Sequence, residues 1–76
     1  MDWTQRSKYF LESNDGQYRI SKARVKRHWI YTAWKRIMRD HESVWVPLRY
    51  TEDIALAHAA CEEDDRRMAS PHPAAA

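Results

Sequence analysis

One glycine, one cysteine and three prolines in 76 residues leave little of the chemistry by which many small proteins work. A phosphate-cradling loop needs several glycines close together, so Gly16 alone excludes one. The Gly-x-Ser-x-Gly and His-Glu-x-x-His patterns are also missing, which sets aside the usual chemistry of nucleotide hydrolysis and of zincins. A single Cys61 forms neither an internal disulfide framework nor a cysteine-based zinc site, and it fits a reducing compartment. No apolar run approaches the roughly 18 residues needed to cross a bilayer. Met1-Asp2-Trp3-Thr4-Gln5-Arg6 lacks the basic and then apolar layout of a signal peptide. The expectation is a cytoplasmic protein without membrane contact.

What is present describes a folded chain. Apolar residues make up 43% and charged residues 32%, a balance that supports one core and not a disordered segment. A chain this short buries only about 60% of the surface its unfolded form exposes. The four tryptophans and four tyrosines must therefore supply much of the stability. Small size also allows a homodimer.

The net charge of +2 hides a division along the chain: residues 1 to 50 carry +6, and residues 51 to 76 carry −4. From Gly16 to Arg39 there are eight basic residues and no acidic one. Such a block attracts polyanions or balances an acidic helix packed beside it.

Residues 1–17 read as an N-terminal arm and turn, because Trp3, Tyr9, Phe10 and Leu11 are mixed with polar residues and Ser13-Asn14-Asp15-Gly16 is a dense turn signal. Residues 18–69 read as one sheet-plus-helix domain, and 70–76 as a flexible tail. Tyr18 to Val25 suits a strand, with a bulge near Ser21 and Lys22 to reconcile its apolar positions. Lys26, Arg27 and His28 connect it to a central strand, Trp29 to Ile37. That strand sets Trp29, Tyr31 and Ala33 on one face and Ile30, Thr32 and Trp34 on the other. Met38 to Ser43 forms a second connection, and Val44 to Leu48 an edge strand, since Pro47 cannot donate to a ladder. Thr51 or Asp53 caps a helix whose apolar face is Ile54, Ala57, Ala60 and Cys61. The expected fold is α+β: a three-stranded antiparallel sheet packed on one C-terminal helix in two layers, with an N-terminal arm.

Tyr18-Arg19-Ile20-Ser21-Lys22-Ala23, Tyr31-Thr32-Ala33-Trp34 and Ala57-His58-Ala59-Ala60-Cys61-Glu62, in this order and spacing, resemble a family of small uncharacterised proteins encoded by phages and prophages of proteobacteria. The resemblance spans about two thirds of the chain. The third strand departs from it, with Val46-Pro47-Leu48-Arg49-Tyr50 where the family tends to place a glycine before an aromatic. The family brings no established activity. It implies the accessory protein of a mobile element, working in the cytoplasm of a bacterial host. A looser similarity, of architecture alone, is to the three-stranded, one-helix DNA-binding modules at the N-termini of phage integrases.

His28, His41, His58 and His72 are scattered over different elements, so no shared metal is expected, and no cofactor. Cys61 lies on the apolar helix face, where burial is the ordinary outcome. Glu62-Glu63-Asp64-Asp65 points around a helix and reads as a solvated run muted by Arg66 and Arg67. No catalytic residue emerges. The functional content lies in basic residues interleaved with Trp29, Tyr31, Trp34 and Trp45. Arg24, Lys26, Arg27, Trp29, Trp34, Lys35 and Arg36 flank one hairpin and form the expected macromolecule-binding set. Two functions compete. One is a non-enzymatic, stoichiometric antagonist, comparable to an anti-CRISPR protein, of a host nucleic-acid-handling or anti-phage defence complex. The other is direct DNA or RNA binding by the basic hairpin.

Overall fold

The computed structural model describes residues 1–69, so the expected tail at 70–76 lies outside the described residues. Five strands and one helix follow one another: β1 (Trp3–Ser7), β2 (Phe10–Ser13), β3 (Tyr18–Val25), β4 (His28–Arg39), β5 (Glu42–Thr51) and α1 (Ile54–Ala69). The strands form one antiparallel meander in chain order. The α+β class and the single C-terminal helix match the sequence reading, while the strand count is five and not three.

The extra strands are the segment read as an arm. Its polar and apolar residues do not alternate cleanly because β1 lies at the sheet edge, where most of its residues are exposed. Leu11 nevertheless pairs with Ile20 in register, and Trp3 sets its ring edge-on to His58 of α1 at 4.9 Å. The turn into β3 is held by side chains. Ser13 Oγ donates to Asp15 Oδ1 at 2.6 Å and accepts from the backbone N–H of Tyr18, and Gly16 takes a φ of 74°.

β3 and β4 pair without interruption from Tyr18↔Lys35 to Val25↔His28, so the bulge expected near Ser21 and Lys22 does not form. Val25 need not turn inward, because it sits half-exposed at the strand end. The irregularities fall instead between Gln5 and Ser7 and beside Ala33 and Trp34. Both hairpin connections are two residues long, shorter than expected. In the β4–β5 turn Asp40 and His41 take φ values of 51° and 68°, the sign pattern of a type I′ turn, whereas in the β3–β4 turn only the first central residue, Lys26, is positive at 58°, the sign pattern of type II′. Pro47 lies on the edge strand β5, and β4 has a neighbour on both edges, as read from the sequence, although β3 and not β4 is the central one of the five.

Asp53, and not Thr51, caps α1, since its Oδ1 accepts from the Ala55 N–H at 2.9 Å. The helix packs on β4 and β5 and less on β3. Its Ala57 and Cys61 are fully buried against Tyr18, Ile20 and Ala33, while Ile54, expected on that face, is exposed in the first turn. Sixteen residues of helix reach about 24 Å, against about 40 Å for the twelve residues of β4. The helix is thus too short to cover the whole strand, and the end of the helix-side face toward the β3–β4 hairpin is left bare.

Candidate nucleic-acid interface on the open sheet face

Strand alternation sorts the side chains into two faces. Tyr18, Ile20, Lys22 and Arg24 of β3 share the helix side with their partners Lys35, Ala33, Tyr31 and Trp29 of β4. The opposite face carries Phe10, Glu12, Arg19, Ser21, Trp34, Arg36 and Trp45, joined by the pairs Glu12↔Arg19, Arg19↔Trp34 and Arg36↔Trp45. No described element covers this open face.

The open face is organised by arginine. The Arg19 guanidinium stands 4.3 Å from the Phe10 ring centroid and 4.4 Å from that of Trp45, and Arg36 stands 5.1 Å from Trp45. One indole thus serves two guanidinium groups, each contact contributing about 0.5–1 kcal/mol at a partly exposed site. Arg19 and Arg6 both reach Glu12, at 3.2 and 3.1 Å. Arg36 has no carboxylate partner among the described residues. The Nε atoms of Arg19 and Arg36 are buried and unpartnered. Trp34 is held by its Nε1 donating to Ser21 Oγ at 2.8 Å. The tryptophans on this face therefore act as platforms and struts for cations, and not as free rings for stacking bases.

The seven expected binding residues do not share one surface. Trp34 and Arg36 lie on the open face, whereas Arg24, Trp29 and Lys35 lie on the helix side and Lys26 and Arg27 form the exposed turn. Lys35 is engaged inside the molecule, with Nζ 2.9 Å from Asp64 Oδ2. Trp29 carries Lys22 Nζ over its ring at 4.9 Å. The residues that sequence reasoning missed are Arg6, Phe10 and Glu12, whose strands fall in the segment assigned to the arm, and Arg19, whose strand is the expected one but whose partners Glu12 and Phe10 come from that segment. Parity was the available signal: Lys35 and Arg36 are adjacent in a strand and must point apart.

The Tyr18 hydroxyl also donates to Asp64 Oδ2, at 2.7 Å. Burial works to raise the Asp64 pKa, but the hydrogen bonds from Tyr18 and Lys35 and the nearby Lys35 and Arg67 charges outweigh it and hold the carboxyl below its usual range. Burial, reinforced by Asp64 and Glu62, pushes the Cys61 thiol up to about 12, so the thiolate needed for nucleophilic chemistry is disfavoured. Among the described residues no helix is long and apolar enough to cross a membrane. No known family model, curated protein or solved structure matches the chain.

Proposed function

We propose that this chain is a non-enzymatic accessory protein of a phage or mobile element that acts by stoichiometric binding in the host cytoplasm. The open sheet face contacts nucleic acid, either alone or as the nucleic-acid component of a host processing or anti-phage defence complex. The helix and the sheet make a two-layer scaffold whose second face is left for the partner. The motif resemblance to phage and prophage proteins supports the setting.

The observation that carries the nucleic-acid reading is the pair Arg19 and Arg36 held over Trp45. Stacking on the ring fixes each planar guanidinium in advance, so less side-chain freedom is lost when its outer N–H groups meet phosphate oxygens. Arg6 and the exposed tip residues Lys26 and Arg27 extend the same sign of charge beyond this pair. Glu12, the one carboxylate among them, is neutralised by Arg6 and Arg19.

The test is fluorescence anisotropy with duplex and single-stranded oligonucleotides at two salt concentrations. Binding should fall steeply with salt, and the Arg19→Gln and Arg36→Gln double variant should weaken it by roughly thirtyfold or more, for about 1–3 kcal/mol per lost contact. Absence of binding at low salt, or an unchanged affinity in the double variant, overturns the reading.

A further inference from the structure

The other face holds a different chemistry. Toward the β3–β4 hairpin, beyond the first residue of α1, the helix no longer covers the sheet. There the surface opens into a hollow of about 190 Å³, floored by Leu11 and Ile20 and walled by Tyr31 and Ile54. Lys8 and Lys22 stand at its rim. Neither lysine, nor Arg24 beside them, has a carboxylate partner among the described residues. Tyr9, Trp29 and Ile54 are exposed around it, at 55%, 39% and 40%.

We propose that this hollow docks an acidic peptide segment of a partner protein, with one large apolar side chain seated on Leu11 and Ile20 and flanking carboxylates meeting Lys8 and Lys22. The volume is smaller than the roughly 300 Å³ from which cofactor and drug-sized sites begin, and it suits a single anchor side chain. The cationic rim around an apolar floor selects the partner by charge complementarity. A nucleic acid matches it less well, because the surface on which a base would lie is aliphatic and the rings of Tyr9, Phe10 and Tyr31 only border it, so the oligonucleotide arm of the test below decides between the two. A second copy of this chain also matches it poorly. Its helix turns Ala57 and Cys61 inward and its exposed Met68 follows Arg66 and Arg67, which leaves Leu56, exposed after Glu52 and Asp53, as the one acid-flanked anchor a second copy offers, and the sedimentation arm below tests it. The floor residues Leu11 and Ile20 lie on the side of the sheet away from Arg19 and Arg36, with Phe10 and Ser21 of the open face only at the border of the hollow, so this inference does not rest on nucleic-acid binding there.

The experiment uses three short capped, fluorescein-labelled peptides: Asp/Glu-rich with one central Leu, the same with Ser in place of Leu, and the Leu peptide with Lys in place of the acids. The acidic Leu peptide should bind the full chain at least about tenfold more tightly than either control. Lys22→Glu and, separately, Ile54→Asp should abolish that preference, while Arg19→Gln with Arg36→Gln leaves it intact. Ile54 is exposed in the first helical turn, where an acid is favoured, so its variant folds. Equal or absent binding of the three peptides overturns the proposal. So does an oligonucleotide affinity lowered by Lys22→Glu as much as by the double arginine variant, which assigns the rim to nucleic acid. A dimer in sedimentation that Lys22→Glu dissociates overturns it as well, by assigning the hollow to a second copy.

Discussion

The Tyr18 hydroxyl, on the first residue of β3, donates to the Asp64 carboxylate, 46 residues later on α1, and Lys35 of β4 approaches the same oxygen at 2.9 Å. One carboxylate oxygen thus ties the helix to two strands. Both Lys35 and Asp64 side chains are largely buried, with 20% and 17% exposed, so the pair is less screened than a surface ion pair.

This latch predicts a pH window. Asp64 titrates below its usual range when folded, so its contribution is present above the unfolded carboxyl value near 3.9 and is lost as pH falls through the folded value. Tyr18 is raised, by burial first and then by its bond to Asp64, so its contribution is lost as pH rises past about 10. Urea unfolding across pH should show a plateau that declines at both ends. Tyr18→Phe should cost about 1 kcal/mol at neutral pH and flatten the alkaline decline, and Asp64→Ala should cost about 2 kcal/mol, leaving Lys35 unpaired. Loss of neither limb in these variants would contradict the assignment.

Trp45→Ala should lower oligonucleotide affinity without changing the net charge. Removing the ring frees Arg19 and Arg36 to rotate, and a double-mutant cycle between Trp45→Ala and Arg36→Gln should give a coupling of about 0.5–1 kcal/mol in binding. Additive effects would mean that the indole does not position the guanidinium.

The β4–β5 turn has room for improvement. Asp40 and His41 hold positive φ values of 51° and 68°, which Asn-Gly adopts with less strain. Replacing the pair with Asn-Gly should raise the urea midpoint, by about 0.5–1 kcal/mol in stability. The same midpoint should drop for Gly16→Ala, because an alanine backbone must then hold a φ of 74°.

Cys61 should react with thiol reagents only through unfolding. The side chain is fully buried and its thiol is pushed up to about 12, first by burial and then by Asp64 and Glu62. Labelling rates should therefore rise in proportion to the unfolded fraction as urea is added. A fast labelling phase in the absence of urea would show that the helix opens locally at this point.

Local patterns decided much of the molecule. The span Tyr18–Val25, the faces of Trp29, Tyr31, Ala33 and Trp34, the edge position of Pro47 and the burial of Cys61 follow from period-two and period-3.6 spacing and from a missing backbone donor. These are properties of a residue and its near neighbours. What only the tertiary structure decided is how distant segments pair. Trp3–Ser7 and Phe10–Ser13 become strands because β3 offers them a free edge, a gain that no local alternation announces. The basic residues that look like one cluster along the chain are separated by a sheet: Lys35 turns to Asp64, while Arg36 joins Arg19, seventeen positions earlier, over Trp45. Charge adds up along a sequence, but a binding surface depends on which side of the backbone each charge leaves, and pairing register alone sets which distant charges meet there.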